Sequence, residues 1–92
     1  MNVVSQTRLR LFWTTHPTAK GSLANWYRTV SHARWTCFAD VRKTYNSADL
    51  VGNFVVFNIG DYFRVVVDIA YATRHVYIKH VFTHPEYERW NP

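Results

Sequence analysis

The chain has 92 residues, 17% of them aromatic, and carries a formal net charge of +5. This length provides for one domain, residues 1–92, with a single hydrophobic core. Cys37 stands alone, which excludes an intramolecular disulfide. Because no apolar run approaches the length of a membrane span and the N-terminus lacks a signal pattern, we expect a cytoplasmic protein.

The positive charge is concentrated in the first half of the chain. Residues 1–45 hold seven lysines and arginines against one acidic residue, whereas residues 46–92 hold four against five. A basic surface of this kind attracts nucleic acid or an acidic protein partner, and charge alone does not choose between them. A merely solvated basic surface is equally compatible with the composition.

The first helix is predicted to follow a short N-terminal segment. Val3-Val4 is too short to be more than an edge strand, and Ser5 is a candidate N-cap for a helix that runs to about Thr15. The pair His16-Pro17 interrupts this helix, since the residue before a proline avoids the helical conformation. The helical spacing of apolar and aromatic side chains predicts a buried stripe of Leu9, Phe12, Trp13 and His16.

A second helix is predicted from about Pro17 or Thr18 to Arg34. Residues 35–45 suggest a short third helix, and residues 46–49 are rich in turn formers. Both longer helices are expected to pack on the apolar face of a sheet. The apolar stripe of the second helix comprises Leu23, Trp26, Tyr27, Val30 and Ala33.

Three antiparallel strands are predicted in the second half of the chain, where β-branched and aromatic residues are dense. Gly60-Asp61 and Ala72-Thr73-Arg74 separate them. Because successive side chains point to opposite faces, each strand presents one apolar face to the helices. These faces consist of Val55, Phe57 and Ile59, of Phe63, Val65, Val67 and Ile69, and of Val76, Ile78, His80 and Phe82.

Matching one apolar face to the next predicts the register of the two hairpins. Phe57 is expected opposite Phe63, and Val55 opposite Val65. This leaves Ile59-Gly60-Asp61 as a three-residue loop, in which the glycine takes the left-handed conformation. The second hairpin is expected to pair Val67 with Ile78, Ile69 with Val76 and Phe63 with Phe82.

The other face of this sheet gathers polar and charged side chains. The predicted register makes Arg64 and Lys79 diagonal neighbours on it. Two cations at that separation are unfavourable unless an anion binds between them, so this face is a candidate anion site. Its polar members are Asn58, Tyr62, Arg64, Asp68, Tyr77 and Lys79.

A capped helix is predicted directly after the last strand. Thr83 fits the N-cap of a capping box and Glu86 fits its third helical position. His84 therefore lies at the first turn of this helix, and Tyr87, three residues later, is on the same side. A histidine, a tyrosine, an arginine and a lysine on one sheet face suit phosphodiester chemistry.

The order of the elements, helices first and consecutive antiparallel strands after them, predicts an α+β fold. We expect two N-terminal helices packed on a small antiparallel sheet of three to four strands, followed by a short C-terminal helix.

Several motifs along the chain are informative in combination: Ser47-Ala48-Asp49 with Val51-Gly52, Val56-Phe57-Asn58-Ile59-Gly60, Arg64-Val65, Tyr77-Ile78-Lys79 and Thr83-His84-x-Glu86-Tyr87. Together they resemble the HigB family of toxins, which belongs to type II toxin–antitoxin modules and to the RelE/ParE-like superfamily. Trp26 and Trp35 also stand where the family tends to have tryptophans. The chain departs from the family pattern in a shorter segment between Asn58 and Arg64, and in Glu88, where the family usually has aspartate.

The resemblance implies a RelE-like toxin domain that acts as an mRNA endoribonuclease (mRNA interferase), often on messages that the ribosome is translating. It implies no metal and no other cofactor. The implied partners are a cognate antitoxin with a helix-turn-helix domain, mRNA with the ribosome, and operator DNA only through the antitoxin complex.

The expected reaction is attack of the RNA 2′-hydroxyl on the adjacent phosphate, for which RNA supplies its own nucleophile. In this hypothesis Arg64 and Lys79 hold the phosphate, His84 transfers a proton, and Tyr87 contacts the phosphate or the leaving oxygen. These four are the candidate catalytic residues. The candidate RNA-binding residues are Asn58, Tyr62, Arg74, Arg42 and Lys43.

Each catalytic candidate also has a purely structural interpretation. Arg64 could pair with Asp68 along its strand, and Lys79 could be a charge that protects an edge strand from aggregation. His84 could simply begin a helix, and Tyr87 could belong to the core.

Further alternatives concern the other histidines and the function as a whole. His80 is expected on the apolar face as a core histidine. His75, His80 and His84 do not form a convincing metal set, because no cysteine or carboxylate ligand joins them. Two other functions stay open: a non-enzymatic basic module that binds an acidic partner or the translation machinery, and a toxin of the same fold whose target is not RNA.

Overall fold

The computed structural model describes all 92 residues and confirms an α+β fold. Its five strands are β1 (Asn2–Val4), β2 (Asp49–Val51), β3 (Phe54–Ile59), β4 (Phe63–Ala70) and β5 (His75–Thr83). Its helices are α1 (Thr7–Thr15), α2 (Lys20–His32), α3 (Phe38–Thr44) and α4 (His84–Arg89), with a 3₁₀ turn, Pro17–Ala19, before α2. None of the helices is long and apolar enough to cross a membrane.

The strands form one mixed sheet in the order β1-β5-β4-β3-β2. β1 runs parallel to β5, and every other neighbouring pair is antiparallel. The sheet therefore has more strands than the expected three to four, because two three-residue strands extend its edges. Val3-Val4 belongs to one of these edge strands, as predicted.

The main core lies between α1 and α2 and one face of the sheet, with Phe57 of β3 at its centre. The Phe57 ring is fully buried and lies 5.4 Å from the ring of Trp26, 6.0 Å from that of Trp35 and 5.3 Å from that of Tyr45, measured between centroids. Aromatic pairs in these edge-to-face or stacked arrangements add to the free energy gained by burial. The predicted helical stripes supply the other side of this core through Leu9, Leu23, Trp26 and Val30.

The start of α1 differs from the prediction. Ser5 is not the N-cap, because its backbone has φ +72° and the residue that precedes the helix is Gln6, whose side chain forms no capping hydrogen bond. The chain must turn sharply between β1 and α1, and Ser5 takes the left-handed conformation that this turn requires. At the other boundary, α2 ends at His32 and not at Arg34, because Ala33 is already extended.

The first hairpin is offset by two residues from the predicted register. Ile59 pairs with Phe63 and Phe57 with Val65, so the three-residue loop is Gly60-Asp61-Tyr62. A two-residue offset keeps every side chain on the same face, so the apolar pattern does not distinguish the two registers. The observed register adds the Ile59 pair to the ladder. Gly60 has φ +63°, as expected for its loop position.

A β-bulge in β5 changes which of its residues face the core. Val67 pairs with Ile78 as predicted, but Val66 pairs with His80, so Lys79 has no partner on β4. Beyond the bulge Val81 packs against the core, whereas His80 turns to the opposite face. The prediction that His80 is a core histidine was therefore wrong. An extra residue lets Val81 take the apolar position, at the cost of one interrupted ladder pair.

The bulge also changes the end of the second hairpin. Phe63 pairs with Thr83 and Phe82 lies opposite Arg64, so the predicted pair of Phe63 with Phe82 does not form. Phe82, like His80, consequently lies on the same face as Arg64.

That second face has a smaller apolar cluster of its own, formed around Trp90 after α4. The Trp90 ring lies 5.6 Å from the Phe54 ring and 5.9 Å from the Phe82 ring, between centroids. Val56 and Val66 lie on this face and are as deeply buried as the main core. We call this group the Trp90 cluster. It fixes the C-terminal segment over the sheet, and thereby positions α4.

Candidate functional site

Arg64 is the second residue of β4 and lies on the face that the Trp90 cluster partly covers. It stands directly across from Asn58 on β3 and from Phe82 on β5. Its Nη1 donates a hydrogen bond of 2.8 Å to the carbonyl oxygen of Phe63. This bond restrains a half-buried guanidinium that retains further N–H donors.

His84 is the first residue of α4, and the capping box predicted for this helix is confirmed. The Thr83 side chain accepts a hydrogen bond from the backbone N–H of Glu86, and the Glu86 carboxylate accepts one of 2.8 Å from the backbone N–H of Thr83. The second of these bonds lowers the pKa of Glu86 from its ordinary value. The backbone N–H of His84 donates to the carbonyl oxygen of Tyr62 at 2.6 Å, which ties α4 to the hairpin loop before Arg64.

The side chains of Arg64, His84 and Glu88 form a continuous chain of contacts. Arg64 Nη2 lies 3.1 Å from His84 Nδ1, and His84 Nε2 lies 2.5 Å from Glu88 Oε1. Because a guanidinium can only donate, Nδ1 is the acceptor in the first contact. The neutral imidazole then carries its hydrogen on Nε2 and donates it to Glu88. We call these three residues the Arg64–His84–Glu88 chain.

This chain is accessible to a ligand. The His84 side chain is 43% exposed and that of Glu88 is 62% exposed. Glu88 was not among the predicted site residues, although a signal for it was present. It stands four residues after His84 on a helix, the spacing at which side chains meet.

Lys79 lies on the same face as Arg64, although the bulge prevents the predicted diagonal arrangement. Its Nζ is 5.7 Å from the centroid of the Tyr77 ring, and the side chain is exposed and not paired with a carboxylate. The alternative in which Arg64 pairs with Asp68 is not observed, because the guanidinium is bonded to Phe63 and His84.

The remaining candidates near Arg64 are in different environments. Tyr87 is half-buried beside the Trp90 cluster, with its ring centroid 6.0 Å from that of Trp90. Asn58 is exposed, and its Nδ2 is 3.5 Å from the carbonyl oxygen of Ser47. Tyr62 is 51% exposed in the hairpin loop.

The other three predicted RNA-binding residues form no hydrogen bond with Arg64 or His84. Arg74 is in the turn between β4 and β5, at the other end of the sheet, where it borders a cavity of about 520 Å³. Arg42 and Lys43 are on α3, where Arg42 donates to the carbonyl oxygen of Asn46 and Lys43 pairs with Asp40. The structure therefore brings Asn58 and Tyr62 beside the catalytic candidates and leaves Arg74 at the far end of the sheet. Arg42 and Lys43 are on α3, and the turn after this helix contacts Asn58 through the Ser47 carbonyl oxygen.

The other histidines are not arranged around a metal ion. No group of three or more His, Cys, Asp or Glu side chains is placed to hold one. His80 stacks on Phe82 with 5.0 Å between the ring centroids. Burial, followed by the positive charges of Arg8 and Lys79, lowers the pKa of His80 from its ordinary value.

Comparison with known proteins identifies a family. The family model of HigB toxins, described as the RelE-like toxic component of a toxin–antitoxin system, matches residues 19–90. No curated protein matches the chain. The matched region extends from the start of α2 through the whole Arg64–His84–Glu88 chain and the Trp90 cluster. The protein therefore belongs to the HigB family of RelE-like toxins from toxin–antitoxin systems.

Proposed function

We propose that this toxin is an mRNA endoribonuclease (mRNA interferase) that cleaves messages during translation without a metal ion. The observation that carries the proposal is the Arg64–His84–Glu88 chain, which joins a phosphate-binding group, a proton-transfer group and a carboxylate on one accessible face. RNA contributes the nucleophile through its 2′-hydroxyl. The protein therefore needs only to orient the strand, move protons and stabilise the developing charge.

Arg64 is the proposed phosphate ligand. The bond from Nη1 to the Phe63 carbonyl fixes the direction of the guanidinium, and its free N–H groups suit two oxygens of one phosphate. Lys79 is exposed on the same face and adds a second positive charge for the strand. No carboxylate pairs with either of these cations, so both are free for an anionic ligand.

His84 is the proposed base. When a phosphate oxygen replaces Nδ1 as the acceptor of the Arg64 hydrogen, Nδ1 is free to accept the proton of the 2′-hydroxyl. The 2′-oxygen attacks phosphorus and the bond to the 5′-oxygen breaks. The products are a 2′,3′-cyclic phosphate and a 5′-hydroxyl. Glu88 keeps its bond to Nε2 and stabilises the imidazolium that forms.

Tyr87 is the proposed donor to the leaving 5′-oxygen, since it follows His84 by one helical turn. Asn58, directly across from Arg64, and the exposed ring of Tyr62 are proposed to contact bases. Roles for Arg42, Lys43 and Arg74 in binding RNA stay predictions. They would require the strand, or the ribosome, to reach α3 and the far end of the sheet.

Membership of the family implies an antitoxin partner for this toxin. We further propose that this antitoxin carries a helix-turn-helix domain and that operator DNA is reached only through the complex. The proposed substrate places the toxin in the cytoplasm, where mRNA is translated.

The test compares the wild type with His84→Ala on a reporter mRNA, both as naked RNA in EDTA and in a reconstituted translation mixture. His32→Ala, which removes an exposed histidine of α2, is the matched control. The expected result is new cuts whose 5′ ends can be ligated only after phosphorylation by a kinase. These cuts disappear in His84→Ala and persist in His32→Ala.

Cuts that persist in His84→Ala would reject His84 as the base. Growth arrest on induction in cells, without any new 5′ ends on the messages, would instead indicate a target other than RNA. Neither arrest nor cuts would favour a non-enzymatic binding module.

A further inference from the structure

A cavity of about 210 Å³ opens at the free edge of β3, beside the proposed active site. β2 pairs only with residues 54–56, so the last residues of β3 have no strand on their outer side. Side chains of α2 and Tyr45 complete the walls. The lining includes Ser22, Asn25, Trp26, Tyr45, Asn58 and Gly60.

The lining is polar but carries no charged side chain. Asn25 and Asn58 each offer an amide that donates and accepts, and Ser22 adds a hydroxyl. The volume lies below the roughly 300–1,000 Å³ of drug-sized sites. A small, neutral, planar ring with donors and acceptors on its edge matches this chemistry, whereas a phosphate or a carboxylate does not.

One wall of the cavity contains a buried donor that lacks an acceptor. Trp26 is 1% exposed, and its indole Nε1–H forms no hydrogen bond within the protein. A buried N–H without a partner is unfavourable, and such groups usually have a structural or functional reason. The nitrogen is closed off from solvent in the free protein, so a ligand acceptor reaches it only if the cavity wall shifts on binding.

The aromatic walls are fixed in place. Trp26 and Tyr45 both pack on the Phe57 ring, at 5.4 Å and 5.3 Å between centroids. Burial raises the pKa of Tyr45, and the Thr29 side chain partly opposes this shift. Asn58 is freer, because its contact with the Ser47 carbonyl is long at 3.5 Å. The cavity therefore combines a rigid floor with an amide that can reorient toward a ligand.

The cavity adjoins the proposed phosphate site. Asn58 and Arg64 are direct cross-strand partners, for which the Cα atoms are about 4.5–5.5 Å apart. A strand whose phosphate is held by Arg64 thus passes the mouth of the cavity within the length of one nucleotide.

We propose that this cavity receives one unpaired nucleobase of the RNA substrate, next to the phosphate held by Arg64, and that Asn25 and Asn58 read its edge. This inference rests on the proposed ribonuclease function and assigns the base selectivity of the same site. Single-stranded RNA is commonly recognised in this way, by bases turned into pockets that hydrogen-bond their edges. The residues of α2 that take part, Ser22, Asn25 and Trp26, lie far in sequence from the catalytic candidates.

The test measures binding without cleavage. Trinucleotides with 2′-O-methyl groups lack the nucleophile, so the wild-type protein binds them without cutting. Four such trinucleotides, each with a different one of the four bases at the central position, are titrated by calorimetry at low salt. We expect the dissociation constants of the best and worst base to differ by about fivefold or more, the lower end of what one good base-edge contact provides.

Asn25→Ala should reduce this difference to about twofold or less, because it removes one of the two amides proposed to bind the base edge. Alanine is favourable in a helix, so α2 should be preserved. Trp26→Phe should also weaken binding of the preferred base, since it changes the shape of the aromatic wall and keeps an aromatic ring. Gly21→Ala is the control, because a Cβ at this neighbouring position of α2 meets nothing within 4 Å. It should keep the full difference between the bases.

Equal affinities for the four bases in the wild type would overturn the proposal. So would the same full difference between the bases in Asn25→Ala as in Gly21→Ala, or no binding of any trinucleotide. Cleavage of the reporter mRNA is measured separately. A result that rejects the base-binding cavity is therefore different from a result that rejects the ribonuclease function.

Discussion

Arg64 Nη2 and His84 Nδ1 are 3.1 Å apart, although twenty positions separate the two residues in the sequence. In the free protein each side chain occupies a group that the other would use in the proposed mechanism. Nδ1 has its lone pair engaged by a guanidinium hydrogen, and the guanidinium has one donor fewer for phosphate. In the proposed mechanism the substrate phosphate separates them, so that binding of RNA and release of the base are the same event.

The first prediction concerns Arg64. Arg64→Ala and Arg64→Lys should both lower the rate of RNA cleavage by about 10²–10³-fold, the usual effect of removing one charge-stabilising donor. Arg64→Lys should not restore the cleavage rate, because one ammonium group cannot bind both the Phe63 carbonyl oxygen and a phosphate in the fork geometry of a guanidinium. Single-turnover cleavage measures the rate, and circular dichroism checks the fold. Near-normal cleavage by Arg64→Lys would show that only the charge matters.

The second prediction concerns Glu88, whose effect should be small. Its carboxylate is bonded to His84 but is 62% exposed, and exposed ion pairs contribute about 0.2–1 kcal/mol. Glu88→Gln should therefore slow cleavage by at most about fivefold, without changing the binding of uncleavable RNA. Asp68→Asn, an exposed carboxylate on the same face, serves as the control and should have no effect. A loss as large as that of His84→Ala would mean that Glu88 itself transfers a proton.

The third prediction concerns the cap of α4. Thr83→Ala removes the hydroxyl that accepts the Glu86 backbone N–H and should lower the free energy of unfolding by about 0.5–2 kcal/mol. Because the cap also orients His84, cleavage should fall along with stability. Thr83→Ser keeps the hydroxyl and should restore most of both quantities. Urea denaturation measures the stability, and equal values for the alanine and serine variants would contradict the capping role.

The fourth prediction concerns pH. Burial and the charges of Arg8 and Lys79 lower the pKa of His80 in the folded protein, so the unfolded chain binds a proton at this residue more readily. Stability should therefore fall as the pH drops below the ordinary value of 6.5, and this decline should end below the folded pKa.

His80→Phe tests this effect, because it keeps an aromatic ring against Phe82 and Trp90 and removes the titrating group. The free energy of unfolding, measured from pH 7.5 to pH 5, should vary less in the variant than in the wild type. An identical pH dependence in both proteins would assign the effect to other groups.

The elements that repeat a clear pattern were predictable from the sequence. In α2 the buried residues recur at helical spacing, at Leu23, Trp26 and Val30. In β3 and β4 buried side chains recur at every second residue of the core face, so each element identifies its buried face at several positions. The capping box at Thr83 and Glu86 is a local signature, and it too was confirmed. β1 and β2 are three residues each and carry almost no periodicity, which is why the full extent of the sheet was not predicted.

The site was harder to predict, because its geometry depends on competition between residues. In β5, either His80 or Val81 can take the inward position, and only packing against the completed core selects Val81 through the bulge. The contact of His84 with both Arg64 and Glu88 depends on the position of α4, which the Trp90 cluster determines. No local pattern contains that information.

The pairing of β1 with β5 has a consequence for how the toxin forms. Val3 and Val76 are neighbours in the sheet, although they are 73 positions apart in a sequence of 92 residues. Contacts between such distant segments close late, because the chain loses much entropy when its ends meet. During synthesis β1 therefore remains unpaired until β5 has left the ribosome. Arg64 and His84 also come together only then, so the proposed active site is incomplete while the chain is still being made.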